Sequence, residues 1–521
     1  CRHRPQPEEG GGDIRIEMKK EERRDKMKFR EWLRDLDYEV LQGDLDTEAE
    51  DVVYDSRKAV PGTIFVCLKG SRIDSHGFIG DVAMQGVKAF VVERDVELPE
   101  GTAVVKVKSS RHALAMMSAV RFGNPIRNMI SVGVTGTKGK TTVTHMIKAI
   151  LEAAGKKVGM IGTTGAVIGD QVFPTLNTTP ESYQLQEYFS KMAEAGCEYV
   201  LMEVSSQGIK MHRTDGLMFD YGVFTNITPD HIGPDEHADF DEYLYYKSRL
   251  FTMCRTGIAN RDDEHFSAVA KDRTCEAFYT YGLNTDGEEK PDFLGSHVRF
   301  VSEPGFVGAE FDLEEKENGK IRDLRLGLPG EFNVDNALAA ASLCRVMGIP
   351  EEAVREGLEH VRVNGRMEVA YSSELCTVII DYAHNAVSME SLLGTLRTYH
   401  PKRLVCVFGS GGNRSKERRY SMGEIGGKLA DFCILTADNS RYEKTEDIIA
   451  DIRSRLEPTG GAFVEIPDRR EAIYYSLSHA QPGDMIAIIG KGHEDYQEIN
   501  GVRTHFLDRE VVEEAVKELG L

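Results

Sequence analysis

Paired cysteines are missing from this sequence: nine are scattered along 521 residues, and none has C-x-x-C spacing. That argues against a zinc ribbon and a disulfide framework, and it suits a reducing, cytoplasmic setting. Long apolar runs are missing too. No stretch approaches the roughly 18 consecutive apolar residues of a membrane span, so no membrane partner is expected. Positive charge is scarce, with 64 Lys and Arg against 85 Asp and Glu and a formal net charge of −21. This argues against a nucleic-acid surface as the main business of the chain. Small anionic ligands stay open, because they need only local donors and a metal.

What is present reads as a soluble globular chain, 41% hydrophobic and 29% charged. A prior of about 150 residues per domain predicts about three domains. Residues 1–27 are polar, charged and glycine-rich, without the apolar segment of a signal peptide. They are expected to form a disordered extension. Residues 28–126 alternate short apolar runs (TIFVCL, AFVVE, TAVVKVK) with turns and end in the helical stretch RHALAMMSAVRFG. This predicts a small α/β domain, closed by Asn124-Pro125. Residues 127–360 begin with an apolar strand, a glycine loop and an amphipathic helix, then alternate strands and helices. A mostly parallel sheet is expected. Residues 361–521 carry four apolar strands, CTVIID, RLVCVF, DFCIL and DMIAII, each running into a polar or glycine loop. This predicts a Rossmann-like α/β domain with its ligands at the strand carboxyl ends.

The segment GVTGTKGKTT, residues 133–142, has the strand–glycine loop–helix order of a phosphate-binding loop. Its glycines are three apart (Gly133, Gly136, Gly139), unlike the usual G-x-x-x-x-G-K-[ST]. Backbone N–H groups from Gly136 to Thr142, including those of Thr137 and Lys138, can approach phosphate, and the helix presents its positive end to the same anion. Lys140 can neutralise phosphate oxygens, and the Thr141 hydroxyl can ligate Mg²⁺. A carboxylate for the metal is offered by Glu203 at the end of EYVLME. Asn226, Asp230 and His231 follow another strand, and His231 in a turn of the same domain is a candidate metal ligand.

The motifs GVTGTKGKTT, NTTPE, EVSS, TNITPDH, YKSRLF, GEFNVDNALAA, NGRME, DYAHN, GGNR, DNSR and GKGHEDYQ occur in the order found in the Mur ligases. The chain resembles that family from about Asp55 to its C-terminus. Its motifs are most similar to those of the members that add the third residue of the stem peptide. The resemblance accounts for the glycine spacing, G-x-x-G-x-x-G-K-[ST], with Lys138 where asparagine is more usual.

The reaction so implied is ATP-dependent amide formation on UDP-MurNAc-L-Ala-D-Glu. The D-Glu side-chain carboxylate is phosphorylated, and the amine of a diamino acid displaces phosphate. Positioning and charge neutralisation carry most of such a reaction. The resemblance further implies ATP and Mg²⁺, two ions in all, with a carbamylated Lys247 joining Thr141, Glu203 and His231 in the metal set. A carbamate is a hard oxygen ligand, whereas a free ammonium repels Mg²⁺. Asn226, Asn333, Asn336, Arg366, Asp381 and His384 are expected around the nucleotide. Ser56, Ser71, Arg72 and Ile73 are expected at UDP-MurNAc, and Asn177, Thr178, Thr179, Ser205 and Arg213 at its dipeptide. Gln207 and Met211 depart from the family, standing where histidine and glutamine are common.

The third-residue pocket implied by the family comprises Arg414, the run Asp438-Asn439-Ser440-Arg441, Gly490 and Glu494. Diaminopimelate differs from lysine by one carboxylate, which a forked guanidinium suits. Arg441 therefore favours diaminopimelate over lysine. Ser440 replaces the proline of D-N-P-R, and the segment TPDHIGPDEHADFDEYLYYK looks more similar to lysine-adding relatives. A monomer is expected. The competing readings are a diverged family member acting on another substrate, including a folylpolyglutamate synthetase, and a non-catalytic phosphate-loop binding module.

Overall fold

The computed structural model describes residues 26–70, 73–234, 236–284, 290–316 and 319–521. The extension expected over residues 1–27 lies outside these up to residue 25. The chain divides into two compact units, Cys1–Arg121 and Phe122–Leu521.

The first unit holds a five-stranded sheet. Its strands are β1 (Tyr38–Gln42), β2 (Asp51–Val53), β3 (Thr63–Val66), β4 (Ala89–Val92) and β5 (Ala103–Val107), in the order β1-β5-β4-β3-β2. All pairs are parallel except β1–β5. The continuous apolar runs of β3 and β4 are buried along their whole length, as expected of parallel strands covered on both faces. The predicted helix follows as α1 (Ser110–Phe122).

The second unit contains two large sheets. In the first, a parallel core is built from β6 (Ile130–Thr135), β7 (Val158–Gly162), β10 (Tyr199–Glu203), β11 (Phe219–Phe224), β12 (Cys254–Asn260) and β13 (Ala277–Gly282). At one margin β8 (Gly165–Ile168) and β9 (Gln171–Phe173) pair antiparallel; at the other, β14 (Phe293–Glu303) joins β13 in parallel and is followed by the antiparallel β15 (Phe306–Glu315) and β16 (Gly319–Leu326). The order is β9-β8-β7-β10-β6-β11-β12-β13-β14-β15-β16. The core agrees with the expected parallel sheet; the antiparallel margins lie beyond what the alternation of strands and helices implies.

Helix α2 (Lys140–Ala153) leaves β6 through the glycine loop and packs against α6 (Glu331–Val346) and α7 (Glu351–His360). Val143, Met146, Ile147 and Ile150 of α2 meet Val132 and Val134 of β6 in one core. The opposite face is closed by α3 (Ser182–Glu194), whose Leu185, Phe189 and Met192 join Val200 and Met202. Each such fully buried side chain contributes roughly 1.5–3 kcal/mol, enough to fix the strand ends that bear the polar groups. Two shorter helices, α4 (Ser206–Lys210) and α5 (Phe240–Ser248), follow β10 and precede β12.

The second large sheet has the order β17-β18-β22-β19-β20-β21. Its strands are β17 (Glu368–Ser372), β18 (Cys376–Asp381), β19 (Arg403–Phe408), β20 (Phe432–Leu435), β21 (Ala462–Glu465) and β22 (Asp484–Ile489), and only β17 is antiparallel. Helices α8 (Ala386–Arg397), α9 (Lys416–Leu429) and α10 (Thr445–Leu456) pack on one face. Helices α11 (Arg469–Ser478) and α12 (Asp508–Leu519) cover the other. This is the Rossmann-like, doubly covered arrangement expected for residues 361–521. No described helix is long and apolar enough to cross a membrane, and all eight described cysteines are free.

Candidate active site

The glycine loop departs from a simple count of its glycines. Gly133 lies inside β6, where an added Cβ would come 3.0 Å from Leu250 Cδ1. It packs the sheet, and the loop proper is Gly136 to Gly139. Gly139 has φ +85°, and a Cβ there would lie 2.3 Å from Asn336 Oδ1, so glycine is required both for conformation and for the approach of α6. The loop is braced from β11. The backbone N of Lys138 donates to Asn226 Oδ1 at 2.9 Å, and Thr225 Oγ1 donates to Lys138 O at 2.7 Å. The side chain of Lys138 is exposed. Lys140 Nζ folds back onto the loop, donating to Gly136 O at 2.8 Å and Thr137 O at 3.1 Å. Burial lowers its ammonium below the usual lysine range.

Glu203, at the end of β10, is only 1% exposed. Thr141 Oγ1 donates to both of its carboxylate oxygens at 3.0 Å. Thr163 donates its backbone N at 2.9 Å and its Oγ1 at 3.2 Å, and that hydroxyl is 3.0 Å from Thr178 Oγ1. Burial pushes the Glu203 carboxyl upward, opposed by Lys140, Thr163 and Thr141. An acceptor-only carboxylate beside a threonine hydroxyl at a phosphate loop is a hard-oxygen donor set that fits Mg²⁺.

Lys247, in the last turn of α5, is 2% exposed. Its Nζ donates to Gly136 O at 2.7 Å and lies 4.7 Å from the Tyr243 ring centroid. Among the described residues no carboxylate pairs with it. Burial, and then the neighbouring Lys140, push its ammonium well below the usual range. The Tyr243 hydroxyl is 3.0 Å from Thr137 Oγ1, so α5 is tied to the phosphate loop. His231 lies in the segment after β11, as its motif implied. It has φ +54° and an exposed ring whose Nδ1 is 2.9 Å from Glu236 Oε1. Its ring reaches Tyr243, 6.0 Å between centroids; like Lys247, Tyr243 and Asn226, it stands outside the lining of the cavity bounded by Lys140, Thr141 and Glu203.

That cavity, about 480 Å³, is where the two sheets of the second unit meet. Thr137 to Thr142 and Glu203 come from the first sheet and its loop, and Asn333 and Asn336 from α6. Arg366 and Asp381 come from the second sheet and the segment before it. Asn336 Nδ2 donates to Asn333 Oδ1 at 3.1 Å, and Asn333 Nδ2 to Pro329 O at 2.6 Å. Asp381 accepts the backbone N of Met367 and of Ala383, each at 2.8 Å. Burial raises its carboxyl. His384 is outside the lining; its Nδ1 is 2.9 Å from Tyr382 O.

The residues expected at the dipeptide serve internal bonds as well. Thr179 Oγ1 donates to Glu203 O at 2.9 Å and accepts the backbone N of Ser205 at 3.0 Å. Ser205 caps α4, accepting the N of Gly208 at 3.0 Å. Arg213 binds Glu181 Oε1 at 3.0 Å and Thr179 O at 3.0 Å. Asn177 is exposed. In the first unit, Ser56 opens a short turn capped by Asp55, and Ile73 is 63% exposed. Ser71 and Arg72 lie outside the described residues.

The third-residue candidates gather at the carboxyl ends of β19, β20 and β22. Asn439 Nδ2 donates to Glu494 Oε2 at 2.7 Å, and its Oδ1 accepts the N of Glu498 at 2.9 Å. Asp438 Oδ1 accepts the N of Asn439 at 2.6 Å. Gly490, at φ +114°, lies so near that an added Cβ would be 2.8 Å from Asp438 Oδ2. Ser440 Oγ is 2.7 Å from Thr445 Oγ1. Arg441 has φ +53°, and its NH1 donates to Gly412 O at 3.1 Å; Arg414, two residues on from Gly412 in the chain, is exposed.

Sequence reading missed Thr163, Tyr243 and Lys491. Thr163 follows the β7 strand end just as Glu203 ends β10, a signal that was available. Lys491 is wholly buried, with Nζ on Tyr496 O and 3.6 Å from Glu494 Oε2, and nothing in its residue type announces that.

Comparison with known proteins agrees with this geometry. Residues 134–344 match the Mur ligase middle domain, and residues 365–492 match the Mur ligase, glutamate ligase domain. A UDP-N-acetylmuramoyl-L-alanyl-D-glutamate--2,6-diaminopimelate ligase of Caldanaerobacter subterraneus subsp. tengcongensis is 40% identical over 478 residues, 92% of this chain and 97% of the relative. The ligase of the same name from Clostridium perfringens is 40% identical over 482 residues, 92% of this chain and 97% of its own. A solved structure of a ligase of that name superposes with a TM-score of 0.72 at 28% identity, covering 95% of this chain and 100% of the other. A UDP-N-acetylmuramoylalanyl-D-glutamyl-2,6-diaminopimelate--D-alanyl-D-alanyl ligase from Acinetobacter baumannii, at 19% identity and a TM-score of 0.56 over 90% of this chain and 96% of its own, shares the fold. With the phosphate loop, its carboxylate and the second sheet arranged around one cavity, the chain belongs to the Mur ligase family.

Proposed function

We propose that this protein is the ATP-dependent ligase that joins diaminopimelate to the D-Glu side-chain carboxylate of UDP-MurNAc-L-Ala-D-Glu, in peptidoglycan precursor synthesis. The observation that carries the reading is the cavity in which Lys140, Thr141 and Glu203 face Arg366 and Asp381. The names of the 40% identical relatives support the same substrates. Residues 28–126 would hold the UDP-MurNAc moiety, residues 127–360 the nucleotide, and residues 361–521 the diamino acid.

In the reaction, the carboxylate oxygen takes the γ-phosphoryl group of ATP and ADP leaves. The uncharged amine of the diamino acid then attacks the acyl carbon, and inorganic phosphate departs with the original carboxylate oxygen. Carboxylate oxygen is a poor leaving group until phosphorylated, so the protein's work is to align the pieces and neutralise charge. Lys140 is placed to turn from its loop carbonyls to phosphate oxygens. Thr141 and Glu203 would hold Mg²⁺, which supplies charge neutralisation at the phosphates. Arg366 approaches the same space from the second sheet.

Lys247 supports carbamylation. Burial beside Lys140 favours its free amine, the form that adds to CO₂ with loss of a proton. The carbamate would bring a hard oxygen ligand to a loop that offers only carbonyls to the ammonium. Arg441, held by the Gly412 carbonyl, supports a substrate with a distal carboxylate over lysine. The test is product formation from UDP-MurNAc-L-Ala-D-Glu and ATP with diaminopimelate, lysine or ornithine offered in turn. Ligation of diaminopimelate is expected; turnover with lysine alone would overturn the substrate choice, and none with any amine would overturn the reaction.

A further inference from the structure

Tyr382, the residue after β18, stands between the nucleotide cavity and the loop that follows β22. The guanidinium carbon of Arg366 is 5.1 Å from its ring centroid. Its hydroxyl is 3.4 Å from Glu494 Oε1. His384 and His493 flank the ring at 4.8 and 5.1 Å between centroids. Burial raises the phenol above its usual range, so it stays a neutral donor toward Glu494.

The backbone makes the same connection. Tyr382 N donates to Gly365 O at 2.9 Å, and Gly490 N donates to Asp381 O at 3.1 Å. Gly365 has φ +66°, and a Cβ there would lie 2.2 Å from His493 N. A Cβ on Gly492 would lie 2.8 Å from Tyr382 Cβ. At Gly365 and Gly492, therefore, three segments approach too closely for any side chain: the one bearing Arg366, the strand end bearing Tyr382, and the loop bearing Glu494. Close packing of this kind leaves little room for one segment to shift without the others.

We infer that Tyr382 is a positioning residue shared by the two sites: its ring supports the cavity arginine Arg366 by cation–π attraction, and its hydroxyl orients the carboxylate of Glu494. The inference rests on the proposed ligase reading, in which Arg366 serves the nucleotide and Glu494 the acceptor amine, and it adds to that reading a single residue that holds both.

The experiment compares Tyr382→Phe and Tyr382→Leu in the full chain, with folding checked by circular dichroism. Tyr382→Phe keeps the ring but loses the donor. Its KM for diaminopimelate should rise about three- to tenfold, with the KM for ATP within about twofold. Tyr382→Leu should raise both. Tyr382→Phe with both constants unchanged, or shifted equally, overturns the division of roles between hydroxyl and ring. Calorimetric titration of Mg·ADP needs no acceptor: affinity weakened in Tyr382→Leu and retained in Tyr382→Phe supports the Arg366 contact, and affinity retained in both overturns it. A wild type that ligates no diaminopimelate would sink the proposed function, and the Mg·ADP titration would then decide the Arg366 contact alone.

Discussion

Thr141 Oγ1 sits 3.0 Å from each carboxylate oxygen of Glu203, although the two residues are 62 positions apart in the chain. The pair joins the start of α2 to the end of β10 across the sheet, and it is held by close approach. A Cβ at Gly162 would come 2.2 Å from Glu203 Oε1. Glu203→Gln keeps the shape but replaces one acceptor oxygen with an N–H₂ donor and removes the charge. Charged hydrogen bonds are worth about 1.5–3 kcal/mol, so turnover at fixed Mg²⁺ should fall at least about tenfold. The Mg²⁺ concentration for half-maximal rate should rise as well. Steady-state rates across a Mg²⁺ titration check this; an unchanged Mg²⁺ dependence would remove Glu203 from the metal site.

Lys247→Ala should nearly abolish turnover while leaving the fold intact, because its Nζ makes one hydrogen bond, to Gly136 O. Added acetate or formate should restore part of the rate by placing a carboxylate where the carbamate would be. The rates are compared with chloride at equal ionic strength. A variant within threefold of wild type, or no response to short carboxylates, would argue that Lys247 only packs the loop.

The phosphate loop and Glu203 were legible because strand, glycines and helix fall in one short stretch, and because a carboxylate ending an apolar strand has few packing roles. The position of Gly133 was not, since a glycine that lets Phe219 and Leu250 approach the sheet reads the same as one that binds phosphate. The motif order gave Asn336 and Arg366 as nucleotide residues; that α6 and the second sheet line one cavity is a tertiary fact with no local trace. The β14–β16 hairpins have a weak local signal, of which Pro304-Gly305 at their first turn is the clearest part. His231 reads as a candidate ligand from its place after a strand; what the residue pattern does not give is the partner of its Nδ1, Glu236, at 2.9 Å. Side-chain direction in a turn is set by backbone dihedrals that a residue pattern does not encode.

Asp335, on α6 beside Asn336, gives a pH-dependent stability. Burial, with Asp262 and Glu331 nearby, pushes its carboxyl up to about 7 from the usual 3.8. The folded state therefore keeps a proton that the unfolded chain releases between about pH 4 and pH 7. Stability from this group is full below about pH 4 and is lost as pH rises through about 7. Asp335→Asn should stabilise the protein relative to wild type at pH 8, by roughly 1–2 kcal/mol after discounting for partial solvation. The difference should shrink or vanish at pH 4.5. Thermal unfolding of both proteins at the two pH values measures it, and a difference that does not change with pH would refute the assignment.

Arg441→Ala separates the amino-acid substrates. Its backbone N is tied to Glu498 O at 2.9 Å and its NH1 to Gly412 O at 3.1 Å. The guanidinium thus has donors left over, while Glu494, on the loop after β22, offers a carboxylate to an ammonium. Diaminopimelate carries both charges at its distal end, and lysine carries only the ammonium. If the distal carboxylate binds Arg441, removing the guanidinium forfeits a charged hydrogen bond, about 1.5–3 kcal/mol, or roughly ten- to a hundredfold in apparent affinity. The KM for ATP and for UDP-MurNAc-L-Ala-D-Glu should move less than about threefold, because those ligands are assigned to other loops. Ser440 does not defeat the argument, since its hydroxyl is anchored at 2.7 Å from Thr445 Oγ1 and holds the turn that proline would otherwise stiffen. For lysine the variant should be neutral or better, as a cation near its ammonium is gone. Steady-state kinetics of wild type and Arg441→Ala with both amino acids decide the matter. A wild type that prefers lysine, with the variant unchanged toward it, would replace diaminopimelate by lysine and leave the ligase chemistry standing.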